Sequence, residues 1–466
     1  MTAKHFAFVC LVLAVATGFA QQPLTPDHQL ARDIFKELIE INTTDTPAGN
    51  VTTAAEAMAA RLRQAGFPAE DIRVPGPLPN KHNVVARIHG RGQGKPILFL
   101  AHLDVVQALK QDWSADLDPF KFNEKDGFFY GRGTSDVKDG DAILVENFMR
   151  LKKEGWQPSR DLILALTADE EGGESNGVTW LLQNHRELID AEYCINTDGG
   201  DFELEKGKHI LLGVQTSEKN YVDFTLEVKS NGGHSSRPVK DNAIYHLAGG
   251  LERLGNFDFP IVLNETTKTF FEKTASLQQD SATAADFRSI AKDPNNKQAA
   301  ERLSKSPYVN ALLRTTCVAT RLEGGHANNA LPQTARANVN CRMLPNDSLE
   351  NVQATLERVL ADNRITISVL NNSGAAPASA VNPNIMGVME NLSTKLYGGI
   401  PVVPQMDTGA SDGKPLRLAG IPTYGIPGVF EDINDVRAHG RDERIGVKEF
   451  YDGVDFYYEL IKALAH

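Results

Sequence analysis

Leu162-Ile163-Leu164-Ala165-Leu166-Thr167-Ala168-Asp169-Glu170-Glu171-Gly172-Gly173 sets the frame for the rest of the chain. It begins as an apolar run of strand length and breaks into three carboxylates and two glycines. A run without polar alternation reads as a strand buried on both faces of a sheet. The acidic triplet then falls at the strand's carboxyl end, where open α/β sheets place their ligand sites. Three adjacent carboxylates repel one another, so at least one is expected to meet a cation or share a proton. A solvated acidic turn would explain the triplet if it stood alone. Other strands end in the same way.

Upstream, Ile97-Leu98-Phe99-Leu100-Ala101-His102-Leu103-Asp104-Val105-Val106 is a second buried run, interrupted by a His-x-Asp pair near its carboxyl end. Residues i and i+2 share one face of a strand, so both side chains are expected to point the same way. A metal-bound imidazole needs a partner to fix its tautomer, and an Asp serves. Between these runs, residues 112–140 read as a long loop ending Gly131-Arg132-Gly133-Thr134-Ser135-Asp136-Val137-Lys138-Asp139-Gly140. Downstream, Tyr193-Cys194-Ile195-Asn196-Thr197 ends in Asp198-Gly199-Gly200. Three successive strands thus deliver His102, Glu170 with Glu171, and Asp198 at their carboxyl ends, and a loop adds Asp136. Helical spacing over residues 27–41, 50–65, 141–151 and 177–185 separates them, giving an α/β fold with a largely parallel sheet.

The pattern changes after residue 217. Residues 221–230 alternate apolar and polar, a half-exposed strand. A helix over 242–254 follows, then a polar, irregular stretch over 256–310 expected to be helical in parts. Strands over 316–322 and 334–344, a helix over 348–362 and a strand over 365–370 complete a βαββαβ-like, ferredoxin-like α+β unit inserted in the first domain. The expected division is therefore a catalytic domain over 21–217, an insert over 218–378, and a return to the first domain over 379–466. The closing part holds a helix near 383–397, a loop over 431–444 containing His439, and a helix from Val447.

The chain has 466 residues, 41% hydrophobic and 23% charged, which suits two or more globular domains. Its net charge is −12, and it has no basic run or basic–aromatic interleaving, so no nucleic-acid partner is expected. Residues 1–20 carry Lys4, an apolar run from Phe6 to Ala16, and small residues before Gln21. This reads as a secretory signal cleaved near Ala20, placing the mature chain in a secreted or periplasmic setting without a membrane anchor. Cys194, Cys317 and Cys341 remain, an odd number too widely spaced for a zinc–cysteine site. Hairpin pairing would bring Cys317 and Cys341 opposite each other for oxidation, but two buried thiols are the favoured reading.

The set His102-x-Asp104, Asp136, Glu170-Glu171, Asp198 and His439 resembles the co-catalytic zinc family of glutamate carboxypeptidase, aminoacylase, succinyl-diaminopimelate desuccinylase and carnosinase. The similarity spans nearly the whole mature chain. It includes Gly232-Gly233-His234-Ser235, Asn329-Ala330-Leu331-Pro332 and Arg342 in the insert, and residues 256–310 look most like the carboxypeptidase S branch. The resemblance implies a three-layer zinc-exopeptidase-like catalytic domain with an inserted lid and dimerisation domain, and a homodimer formed through the lid. It implies two Zn²⁺, replaceable by Co²⁺ or Mn²⁺, with Asp136 bridging them. Glu171 and His439 would complete one site, and His102 and Asp198 the other. Asp104 would orient His102, and Glu170 would be the general base. Arg342, Asn329, Gly409 and Ser411 would hold the substrate's free carboxylate. His234 would stabilise the oxyanion, reaching in from the partner subunit. His246 and His326 are read as structural.

The chemistry supports this set independently. Two close divalent ions hold a hydroxide at neutral pH and polarise a carbonyl. Nitrogen and oxygen donors without cysteine suit exchangeable zinc with an open position. A neighbouring carboxylate that binds no metal can take the water's proton and return it to a leaving amine. The expected activity is a carboxypeptidase-type exopeptidase acting on small peptides, with N-acyl amino acid deacylation as the alternative on the same site. Two other classes compete with this one. Gly409-Ala410-Ser411-Asp412-Gly413 matches a nucleophile elbow, with Asp435 and His439 in serine-hydrolase order. The elbow needs a buried strand before it, and residues 401–407, with two prolines, make a poor one. A non-catalytic binding or dimerisation module would be expected to have lost at least one ligand position, and all are filled.

Overall fold

The computed structural model describes residues 23–466 apart from Gln93, Gly173 and Ser373. The expected signal segment lies outside the described residues. A ten-stranded mixed sheet forms the centre. Strand Leu162–Thr167 runs parallel to Ile97–His102, which runs parallel to Tyr193–Asn196. The apolar runs therefore become adjacent strands pointing the same way, and their carboxyl ends coincide. Val84–Ile88 and Ile72–Arg73 continue the sheet antiparallel on one side. Thr423–Gly425, Lys208–Glu218, Phe202–Glu205 and Phe430–Asp432 continue it on the other.

Alternation along the strands builds both faces. Leu162, Leu164 and Leu166 join one core with helices Pro26–Glu40, Val51–Gln64, Lys138–Lys153, Pro383–Tyr397 and Val447–Leu464. Ile163 and Ala165 face the opposite core, with Val178, Leu181 and Leu416. All six residues of Leu162–Thr167 are buried. This helix–sheet–helix arrangement agrees with the expected three layers. Val402–Asp407, read as a poor strand because of Pro401 and Pro404, is a buried strand parallel to Lys208–Glu218. Among the described residues its sheet partner lies on one side only, so the missing proline N–H costs no second ladder. The expected loop over 112–140 also contains two short strands, Asn123–Lys125 and Phe128–Tyr130, which pair with each other, the latter also with Arg444–Gly446.

A second, four-stranded antiparallel sheet has the order Thr316–Gly324, Thr334–Met343, Asn220–Lys229, Ile365–Asn372. Helices Ala243–Gly255 and Leu349–Leu360 pack on one face, against Val222, Phe224, Leu226 and Val339. That is the α+β unit expected from the alternation over 221–230. Cys317 and Cys341 stand directly opposite each other across neighbouring strands and form a disulfide. The favoured reading of two free thiols is thereby corrected: register places the sulfurs together, and spacing alone did not fix register. The polar stretch after Asn256 is helical, in Glu265–Thr274, Ser281–Lys292, Lys297–Leu303 and Pro307–Leu313. Phe271, Phe287 and Leu313 pack there with Val403 and Met406 of the central sheet.

Candidate active site

The chain leaves Leu162–Thr167 through Asp169, whose φ of +58° is a left-handed conformation rarely taken by a non-glycine residue. Burial raises its carboxyl, and an ion pair with the buried Lys81 opposes that rise. Lys81 also reaches Asp45 at 2.8 Å. One member of the acidic triplet therefore does meet a cation, and the turn it anchors carries Glu170 and Glu171 over the end of the sheet.

His102 ends its strand and is 1% exposed. Asp104 keeps its carboxylate toward His102, with Oδ1 3.8 Å from Nδ1. Its backbone carbonyl, not its carboxylate, takes Nδ1 of His102, at 3.0 Å. The carboxylate accepts the backbone N–H groups of Glu170 and Glu171, at 3.1 and 3.0 Å. Nε2 of His102 is left facing Asp136 Oδ1, 3.2 Å away. The other oxygen of Asp136 lies 2.9 Å from His439 Nε2, which is itself 2.9 Å from Glu171 Oε1. Asp198 follows the Tyr193–Asn196 strand, its N–H donated to the Asn196 side chain. Gly199 beside it has φ of +137°, a conformation that excludes most side chains.

Two triads result, His102–Asp136–Asp198 and Asp136–Glu171–His439, each with donor atoms within 4.8 Å of one another. Asp136 belongs to both. Burial pulls the His102 imidazole down, but Asp136, Asp104, Glu170 and Asp198 outweigh it and hold it well above its ordinary value. Hydrogen bonds to Asp136 and Glu171 push His439 up to about 10. Burial opposes ionisation of Asp136, and the two imidazoles overcome it, holding the carboxyl well below the usual range. Burial pushes the carboxyls of Asp198 and Glu170 well up, Glu170 further because Asp198 is close. This donor set fits divalent cations. It crowds carboxylates and imidazoles into a space where protons otherwise supply the balancing charge.

Residues that the sequence reading left unassigned hold the two loops together. Arg132 meets Glu443 at 2.5 Å, both buried, and donates to the carbonyls of His439 and Gly440 at 3.2 and 3.1 Å. Glu443 accepts the N–H of Ser135 at 3.0 Å. One ion pair thus fixes the Asp136 loop against the His439 loop. Lys138, buried two residues beyond Asp136, donates to the carbonyls of Leu38 and Ile41 at the end of the first helix. The density of Gly131-Arg132-Gly133 was the only sequence signal for this clamp.

The remaining expected residues lie outside the triads. His234 is exposed on the short strand Gly233–His234, which pairs with Ala330–Leu331; its Nδ1 faces Ser236. Asn329 adjoins it, its carbonyl accepting Ser235 N–H at 3.0 Å. Arg342 lies on Thr334–Met343 with its guanidinium 4.8 Å from the Tyr221 ring. Gly409 is exposed, whereas Ser411 is buried and donates to Glu218 at 2.8 Å. Asp412 ties this turn to the acidic strand by accepting from Thr167 and Asn176 at 2.8 and 2.6 Å. The serine-hydrolase triad is not assembled. Ser411 is engaged by Glu218, Asp435 pairs with Arg437 and Arg444, and His439 lies among the carboxylates.

Residues 98–463 match the peptidase family M20/M25/M40. The chain belongs to that family. It is 30% identical over 392 residues to the probable carboxypeptidase S-like 2 of Dictyostelium discoideum, covering 79% of this chain and 71% of that protein. It is 30% identical over 390 residues to the N-fatty-acyl-amino acid synthase/hydrolase PM20D1 of Xenopus tropicalis, covering 79% and 72%. Its fold matches the M20 family metallo-carboxypeptidase Sso-CP2 of Sulfolobus solfataricus, with a TM-score of 0.65 at 18% identity over 93% of this chain and 98% of that one. As an M20 member it is a metal-dependent peptidase or amidohydrolase.

Proposed function

We propose that this M20 protein is an exported di-zinc amide hydrolase that releases an amino acid with a free carboxylate from a small peptide. The observation that carries the reading is the single carboxylate of Asp136 set between two donor triads, with Glu170 beside them and outside both. His102 and Asp198 would hold one zinc ion, Glu171 and His439 the other, and Asp136 both. When bound, the pair supplies Lewis acidity at the scissile carbonyl and lowers the pKa of water. Glu170 takes the proton of the attacking water and hands it to the leaving amine; a carboxyl raised by burial suits that exchange. Asp104 holds the backbone of Glu170 and Glu171, so the base and one ligand keep a fixed relation. Arg342, Asn329, Gly409 and Ser411 bind the free carboxylate, Arg342 by a two-pronged contact. His234 stabilises the oxyanion from the partner subunit of a homodimer formed through the lid. The domains run 21–217, 218–378 and 379–466, after a signal segment over 1–20. The disulfide Cys317–Cys341 supports an oxidising compartment.

Deacylation of N-acyl amino acids is the second reading, favoured by the resemblance to the Xenopus tropicalis protein named for that class of substrate. One experiment tests both. The mature protein is assayed for zinc and for hydrolysis of short peptides and N-acyl amino acids, before and after chelation, beside Glu170→Gln and Ser411→Ala. About two zinc ions per chain, with activity lost on chelation and in Glu170→Gln, is expected. Activity that survives chelation would sink the reading, and the better substrate class decides between its two forms.

A further inference from the structure

A cavity of about 720 Å³ opens beside the triads, with Asp136 and Asp198 in its wall. Five further acids line it: Asp139, Asp201, Glu203, Asp407 and Glu431. Among the described residues, no Lys, Arg or His lines it. Asp139 is 5% exposed, and its Oδ1 has no hydrogen-bond partner. A buried carboxylate oxygen without a donor is costly unless a donor arrives. The Tyr308 ring, from the helix Pro307–Leu313, stands at the same wall. Val429, Ile433 and Val436 also line it, the last two exposed.

Carboxylates with an aromatic face and aliphatic patches make the chemistry of an alkylammonium site. The carboxylates accept its N–H bonds, the ring adds cation–π attraction, and the aliphatic residues cover the stem. With no Lys, Arg or His among its described lining residues, the same wall offers a carboxylate no ion-pair partner, and it burdens an uncharged fatty chain with desolvating several acids. Arg342, Asn329, His234 and Ser411 do not line this cavity. Gly409 does not line it either, so the amide-hydrolase reading leaves this cavity for the acyl part of the substrate. We propose that this acidic cavity selects substrates whose acyl part ends in an ammonium on an alkyl stem, such as a peptide with an N-terminal basic residue. The orientation rests on the amide-hydrolase reading above; the cation site itself does not.

The test compares two isosteric substrates on each of several leaving amino acids, 6-aminohexanoyl and heptanoyl, with the zinc-loaded full-length mature enzyme. The cationic substrate is expected to have kcat/KM about tenfold higher or more, the worth of one charge-assisted hydrogen bond. Asp201→Asn/Glu203→Gln should lower kcat/KM on the cationic substrate about tenfold more than on the neutral one, and Asp201→Asn alone should move the ratio the same way. Equal or faster cleavage of the heptanoyl series, or equal losses on both series, overturns the inference. Calorimetric titration with pentylamine gives a readout independent of turnover. If no substrate is cleaved although two zinc ions bind, the hydrolase reading fails. Saturable pentylamine binding that is lost in the double variant then upholds the cation site, and its absence from the wild type removes it. Cleavage of N-acyl amino acids without the charge preference removes the cavity inference and leaves the hydrolase standing.

Discussion

Asp104 holds His102 by its backbone and Glu170 by its side chain: the carbonyl takes Nδ1 at 3.0 Å, and the carboxylate accepts the Glu170 N–H at 3.1 Å. The residue two positions after the imidazole is a joint between two strand ends. Its carboxylate binds the acidic turn and also stands 3.8 Å from Nδ1, whose tautomer the backbone carbonyl fixes.

Asp104→Asn is therefore expected to disturb the turn more than the imidazole. An amide has one accepting oxygen where two backbone N–H groups need one each, and its NH₂ faces a donor. kcat should fall about 100-fold through misplaced Glu170, with His102 still bound to metal. Turnover measured beside zinc content checks this: an unchanged kcat, or loss of one zinc ion per chain, would contradict it.

Zinc affinity should climb with pH. His439 is pushed up to about 10 by Asp136 and Glu171, and His102 is also raised, so both imidazoles carry protons in the metal-free protein at neutral pH. Bound metal needs them neutral, so each displaced proton adds about tenfold in affinity per pH unit. The sign for folding is opposite. A folded-state value above the unfolded 6.5 stabilises the metal-free protein fully below pH 6.5, and that contribution is lost as pH rises through about 10. Chelator competition at pH 6, 7 and 8 measures the first effect, and metal-free melting curves the second. A pH-independent affinity would rule out proton displacement.

Glu146 should destabilise the native fold at neutral pH. It is buried in Lys138–Lys153, and neither carboxylate oxygen has a hydrogen-bond partner. Burial, with Asp27 nearby, pushes its carboxyl from 4.5 up to about 8. The folded state favours the proton, so stability falls as pH rises above 4.5 and levels off past 8, a penalty of about 3 kcal/mol at pH 7. Glu146→Gln keeps the shape and removes the charge. Its melting temperature should exceed the wild type's at pH 8 and match it near pH 4.5; an equal difference at both would refute the assignment.

Reduction of Cys317–Cys341 should loosen the second sheet. The bond spans a sequence separation of 24 residues, so its loss costs about 3 kcal/mol by chain entropy. Cys317→Ser/Cys341→Ser should melt lower than the wild type and be indifferent to reductant, whereas the wild type should approach it when reduced. Identical melting of all three would show that the bond does not form in solution.

The strands that present the site were legible because they are buried on both faces: apolar runs such as 97–102 and 162–167 admit few other readings. The candidate ligand positions followed, since polar residues at the end of such runs need a reason. What the sequence hid was long-range pairing. Val402–Asp407 looked broken by Pro404, yet a strand with one sheet partner tolerates it. Cys317 and Cys341 needed register, which only the folded hairpin supplies. Arg132 and Glu443 lie 311 positions apart, and no local pattern joins them. The helices after Asn256 were obscured by polar composition, because each buries only a narrow stripe.

Asp136 is counted twice, and that has a consequence for how such a centre decays over generations. Under the proposed ligand set, five side chains serve two ions. A lineage that loses Glu171 or Asp198 keeps one intact triad and a path back by a single reversion under residual selection. A lineage that loses Asp136 forfeits both triads in one step, with no half-working form on which selection could act. Substitution there marks a member that has left the chemistry, whatever else of the fold it keeps.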